Sequence, residues 1–324
     1  RPQLVELGAA ARAVGAAGLT AAIPPAVARA VLTDADAAGL RDELTAALAT
    51  SELVDLPAQP LDPSAAAATD GLATTLADLR RSGATRLGAL LPGIDHTGSV
   101  WLVDRAITHD GAALLADLGV TTLVVPYDHY AQLPGNVAGF TDPSLLATAE
   151  LTATGTAQRA IDVAIVDPLT DLLDPARDTD DTAAGVAVAL LAGITAITHQ
   201  LDPDVRGMVL ARADFGVPDA DVLAHLVGYV AELPGVEMVR LSALGARTNH
   251  AFVNGAVHLV GFDAEPTVDL TGRVARAREL GLVAADAGSM LPALDPRPAA
   301  WADTLAAAMS TGTPNGTPPR SETL

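Results

Sequence analysis

Carboxylates and aromatic rings close together in sequence can act on sugars or hold them, and two stretches of this chain supply both. In SVWLVDRAI (Ser99–Ile107), Trp101 and Asp104 precede a predicted helix and a buried strand. Asp104 reads either as a working carboxylate or as a solvated acid where a helix starts. In YDHY, Tyr127, His129 and Tyr130 put rings beside the carboxylate of Asp128. Ring faces stack on the apolar faces of a sugar and carboxylates accept from its hydroxyls. Plain loop packing is the other reading of that cluster. Asp55, Asp95, His96, Arg212, Asp214 and Ser242 also follow predicted strands, as does Asp167. Asp167 opens DPLTDLL, an Asp-Pro helix start, and reads as an N-cap. Asp110 and Asp219 read the same way. Asp95–His96 sits in a Gly-flanked stretch where turn chemistry competes with a site.

Other chemistries lack their residues. The seven His (96, 109, 129, 199, 225, 250, 258) include no pair at i,i+3 or i,i+4, so no helical His pair suits a metal and none is expected. There is no cysteine, which removes disulfides, thiolate catalysis and Cys-based zinc sites. G-x-S-x-G, the P-loop and the dinucleotide glycine fingerprint are absent, so no serine hydrolase and no cofactor is indicated.

The elements that must position these residues alternate. Strands are expected at 19–24, 52–57, 86–92, 121–126, 160–167, 206–212 and 236–243, and the run 256–262 is an apolar excursion. Helices are expected at 3–15, 36–50, 70–82, 110–118, 183–197, 219–232, 270–280 and 301–309, from apolar residues at helical spacing. A long Gly- and Pro-bearing loop spans 127–144. Strands alternating with helices give a mostly parallel sheet. Near-continuous apolar strands mean both faces are covered. The expected fold is therefore α/β, a (β/α)7-type distorted barrel of mostly parallel strands, with function at the carboxyl ends of the strands. Residues 1–311 read as one domain. The Pro-, Gly- and Thr-rich end (STGTPNGTPPRSETL) reads as disordered, with 312–324 a linker or tail.

The 324 residues are half hydrophobic, with only 3% aromatic, so Ala, Val and Leu fill the core. Formal charge is −20 and every basic residue is Arg; the pI is about 4.4. Such a surface repels phosphate backbones, so nucleic acid is excluded as a partner. The longest apolar run, 183–197, is too short to span a bilayer.

WLVDRAI (Trp101–Ile107) resembles the nucleophile motif of glycoside hydrolase family 57, and LLADLGVTTLVV is similar to the helix and strand that follow it there. The resemblance implies a seven-strand barrel. It puts Asp104 where that family carries its nucleophilic Glu, one methylene longer, with Arg105 in place of a Cys. It implies a second carboxylate from a late strand, for which LARADFG offers Asp214.

A wider resemblance, to the barrel domain of a family of actinobacterial envelope proteins encoded near the lipid II flippase, rests on four stretches. These are LTAAIPPAVARAV, LVDLPAQPLDPSAAAA, Trp101 with LLADLGVTTLVV, and IVDPLTDLL. It implies export, a strand ahead of Arg1, further domains and no transferred catalytic residue. Three functions fit these readings. One is a non-catalytic glycosidase-like barrel binding an envelope glycan or a protein partner, with Asp55, Asp95, His96, Trp101, Tyr127, Asp128, His129, Tyr130 and Arg212 as its binding residues. Another is an active retaining hydrolase or transglycosylase on Asp104 and Asp214. The third is a structural scaffold.

Overall fold

Three short parallel strands, β1 (Thr20–Ala21), β2 (Glu52–Val54) and β3 (Asp95–Thr97), form one sheet in that order. After Gly98 and Ser99 the chain continues as β4 (Val100–Leu102), so the run 95–102 supplies an edge of two sheets. The second sheet adds β5 (Thr122–Val125), β6 (Ala147–Thr152) and β7 (Gln158–Ile165), in the order β10-β6-β7-β5-β4, with β10 at Leu259–Val260. Only β6–β7 is antiparallel in it. A separate hairpin joins β8 (Phe252–Val253) to β9 (Ala256–Val257). This computed structural model describes residues 2–135, 142–152, 158–175, 181–200, 204–212, 214–263, 270 and 272.

The helices are α1 (Pro2–Val14), α2 (Pro25–Leu32), α3 (Ala38–Ala47), α4 (Pro63–Ala68) and α5 (Leu72–Leu90), then α6 (His109–Asp117), α7 (Tyr127–Tyr130), α8 (Ala183–Thr198), α9 (Ala220–Val230) and α10 (Leu241–Arg247). The two sides of the second sheet carry different cores, as strand alternation requires. Trp101, Leu123, Val125, Val163 and Ile165 face α6 through Ala112 and Leu115. Val100, Val124, Ala164 and Val166 face inward, onto Val209 and Leu244 of α10. The fold is α/β with mostly parallel strands, of the distorted-barrel kind. Among the described residues no ladder closes it.

The structure corrects several elements. The strand expected at 86–92 is the end of α5: its buried residues Leu76, Arg80, Gly83 and Leu87 keep helical spacing, and nothing breaks the run before Pro92. The third strand is instead the polar Asp95–Thr97. The expected sixth strand (206–212) makes a single parallel bridge, Val166 to Val209. The expected seventh has no ladder, and its end turns into α10, placing Ser242 in the first turn. Asp110 lies in the first turn of α6, whose N-cap is Thr108, accepting from Gly111 N. Asp167 and Asp219 do cap, accepting from Leu169 N and from Asp221 N and Val222 N. Apart from Leu270 and Gly272, the helices expected at 270–280 and 301–309 and the tail lie outside the described residues.

Candidate functional site

Polar groups, some exposed and some buried, gather at the carboxyl ends of β4, β5 and β7. Asp104, two residues past β4, is 63% exposed and chelates its neighbour Arg105 at 3.1 and 3.0 Å. This answers the choice posed by the sequence in part: Asp104 caps no helix. Its hydrogen bond pushes the Arg105 guanidinium further up, with Asp62, the N-cap of α4, adding to the field.

Past β5, Pro126 leads straight into α7, one helical turn that spreads Tyr127–Tyr130 apart. Asp128 is exposed, and Tyr127 and His129 are half-buried. Tyr130, expected to bind, is 1% exposed and belongs to the core. Its hydroxyl lies 3.0 Å from Nε2 of buried His258, and burial pushes its pKa up to about 12.

Past β7, Asp167 is 4% exposed. Desolvation raises its carboxyl above the ordinary value, its bond from Leu169 N pulls the other way, and the charge of Asp142 adds to the rise. Asp142 accepts from Ser144 and pairs with Arg206, which also donates to Ser144 Oγ. Sequence reasoning did not name Asp142, Ser144 or Arg206. The Asp142–Arg206 pair is 64 residues apart, and no local pattern announces such a meeting.

Arg212 sits between two carboxylates. Its Nε and Nη2 donate to Asp214 at 2.9 Å each, and its Nη1 donates to Asp174 at 2.8 Å. Asp214 also accepts from Gly216 N. The turn is strained: Phe215 has φ +53°, a conformation rare for an aromatic residue, and packs its ring on the inner core. The Arg212 hydrogen bond holds the Asp214 carboxyl below its ordinary value against a smaller desolvation effect.

The remaining candidates lie elsewhere. Asp55 and His96 pair at 3.0 Å. His96 Nε2 faces Gly88 of α5, placing the pair between sheet and helix rather than on the rim. Arg80 of α5 donates there to the carbonyls of Asp55, Gly98 and Leu118 and lies 5.6 Å over the Trp101 ring. Trp101 is buried, so this cluster holds the jog between β3 and β4 instead of offering a ring to solvent. Asp95 opens β3, at its amino end, and pairs with Arg240 at 2.7 Å. At that same amino side, buried Glu52 accepts from Thr20 Oγ1 (2.7 Å), Ser242 N (3.1 Å) and Ser242 Oγ (2.5 Å), fastening α10 under β1 and β2. No group of three potential metal ligands occurs among the described residues.

No protein-family model matches the sequence, and no curated protein matches it significantly. Among solved structures, the chain is similar to a 4-α-glucanotransferase from Thermococcus litoralis, with a TM-score of 0.52 and 14% identity. The match covers 90% of this chain and 42% of that one, so the chain spans less than half the length of that protein. The likeness is one of fold, and it agrees with the distant family 57-like barrel implied by WLVDRAI.

Proposed function

We propose that this chain is a glycosidase-like barrel that binds a cell-envelope glycan outside the cytoplasm without turning it over. The observation that carries this reading is the Arg212 clamp. Glycoside hydrolysis by two carboxyl groups needs one protonated and one ionised. Asp214 is held ionised by Arg212, which unfits it as the proton donor. Asp104 and Asp142 are also paired with arginines, and among the described residues the rim carboxyl raised by its surroundings, Asp167, is buried in a cap. The binding groups are Tyr127, Asp128 and His129 on the α7 turn, with Asp104 and Arg105 beside the end of β4.

Residues 1–311 are taken as one domain and 312–324 as a linker. Among the described residues no helix is long and apolar enough to cross a membrane. Export rests on the envelope-family resemblance alone.

Calorimetric titration with envelope glycan fragments and, separately, with maltooligosaccharides tests the proposal. The expected result is binding that Tyr127→Ala and Asp128→Asn weaken, with no new reducing ends released. Release of reducing ends or glycosyl transfer that Asp104→Asn abolishes would establish the second reading, a retaining enzyme, which the fold likeness to a glucanotransferase favours. Absence of any glycan binding would leave the scaffold.

A further inference from the structure

The turn that carries Tyr127, Asp128 and His129 is held from beneath by a distant part of the chain. Tyr130 closes α7, and its hydroxyl lies 3.0 Å from Nε2 of His258, the residue immediately before β10. The His258 backbone is fixed on both sides: its N–H donates to the Ala251 carbonyl, and its carbonyl accepts from Thr148 N of β6. Further along, Gly261 N donates to the carbonyl of Pro134, on the exit from α7. Gly135, at φ +83°, packs on the Leu259 carbonyl so closely that a Cβ there would stand 2.7 Å from its oxygen. So β10 and its flanks grip α7 and its exit through Tyr130, Pro134 and Gly135. Both partners are slight. Helix α7 is a single turn of four residues, and β10 is two residues at the edge of its sheet. Elements of this kind open locally at low cost.

We propose that the Tyr130–His258 contact is a proton-operated latch on the α7 turn: with His258 neutral, β10 holds α7 and its exit in place, and a proton on the ring releases them. Tyr130, Val260 and Phe262 belong to the outer core, and His258 is buried beside them. A phenol can accept from a charged ring but brings no charge to offset it, and a buried charge without one is costly. Burial is what lowers the His258 value from 6.5. The titratable groups on the surrounding elements point elsewhere or are engaged. Asp128 of α7, Glu150 of β6 and Asp263 past β10 are exposed, and His129 is half-buried. His250, ahead of β8, bonds to Asp162 of β7 at 2.9 Å. Helix α6 faces this core with Ala112 and Leu115. The sign follows. A released ring in water titrates at the ordinary value and the latched ring below it, so the latch is closed above about pH 6.5 and yields as pH falls from there through the lowered value. Resting on the reading of α7 as the glycan-binding turn, release displaces Tyr127, Asp128 and His129 together, and binding weakens in acid.

Two-dimensional NMR of the unmodified chain, from about pH 8 to about pH 5, follows the His258 ring and the amides of residues 127–135 and 258–261. The expected result is one midpoint shared by the ring and both sets of amides, with the amides of α9 unmoved. His258→Gln is expected to abolish the transition in 127–135 and His129→Gln to leave it. Should His258→Gln fail to fold, the shared midpoint in the unmodified chain still decides. A ring that stays neutral throughout, or one that titrates while α7 stays still, overturns the latch. So does an α7 transition that His129→Gln removes and His258→Gln keeps, or a loss of all amides together. Glycan titrations over the same range test the site. The dissociation constant is expected to rise below about pH 6.5, by up to about tenfold per pH unit, in the unmodified chain and not in His258→Gln. A constant that does not change, or an equal rise in both, overturns the latch's hold on binding. Absence of glycan binding at every pH removes the binding reading alone, because the NMR result stands without it.

Discussion

Asp167 is a carboxyl that the fold holds against its own preference. Burial and the nearby charge of Asp142 raise it from 3.8, so the folded state holds its proton more tightly than the unfolded chain. The sign follows: this group's contribution to stability is fully present below about pH 3.8 and is lost as pH rises through the raised folded value. Asparagine caps as well as aspartate and carries no charge. Asp167→Asn is therefore expected to raise the melting temperature at neutral pH, with the gain shrinking as the pH is lowered; a drop at pH 7 would mean the ionised form is needed. His258 has the opposite sign. Burial lowers it from 6.5, so stability is present above about pH 6.5 and is lost as pH falls from there through the lowered folded value. The slope approaches about 1.4 kcal/mol per pH unit within that window. His258→Gln is expected to flatten this limb of a plot of unfolding free energy against pH. Of these two, the Asp167 cap was legible in DPLTDLL because a cap is local. The His258–Tyr130 pair was not, because it joins positions 128 residues apart.

The same division between local and distant governs the elements. Helices α1, α8 and α9 and strands β2, β5 and β7 were legible because periodicity and Pro or acidic ends mark them within their own residues. Strand β6 was readable in principle: Ala147, Ala149 and Leu151 alternate with Thr148, Glu150 and Thr152. So was the β8–β9 hairpin, since Asn254–Gly255 takes positive φ at both residues, as a two-residue hairpin turn requires. The run 86–92 misleads because LGALL followed by Pro resembles a strand when the helix before it is ended too early. The decisive fact lies across the interface. A Cβ on Gly83 would stand 2.0 Å from the Leu56 carbonyl and 2.9 Å from Ala58 N, so α5 lies directly on the loop after β2. Helix propensity alone says Gly83→Ala should stabilise by about 1 kcal/mol. The contact reverses the sign, and a loss of about 3 kcal/mol is expected in chemical denaturation; a gain would mean that the loop yields. At the other end of the barrel, Glu52→Ala strands Thr20 Oγ1 and the Ser242 N–H and hydroxyl. A cost of about 2–4 kcal/mol is expected, with hydrogen exchange rising first in residues 241–247. Uniform loosening would show that Glu52 does not serve α10 in particular.

For the molecule as a whole, charge separates the kinds of partner that a barrel of this sort can have. The formal charge of −20 creates a field that reaches about one Debye length, ~8 Å at physiological salt. A neutral glycan on the α7 turn is indifferent to that field: ring stacking and hydrogen bonds to Asp128 act at contact. A basic protein drawn to the acidic surface gains its encounter rate, and part of its affinity, from long-range attraction that salt removes. The sequence bounds this much, because net charge needs no fold, whereas it could not place the paired arginines that neutralise Asp104, Asp142 and Asp214 on the rim. Those pairs mean that the local field around α7 is milder than the total charge suggests. Titrations repeated from low to high salt are accordingly expected to give a nearly constant dissociation constant for the glycan. An affinity that falls steeply as salt rises, with the loss mainly in the association rate, would replace the glycan with a basic protein as the ligand of this surface.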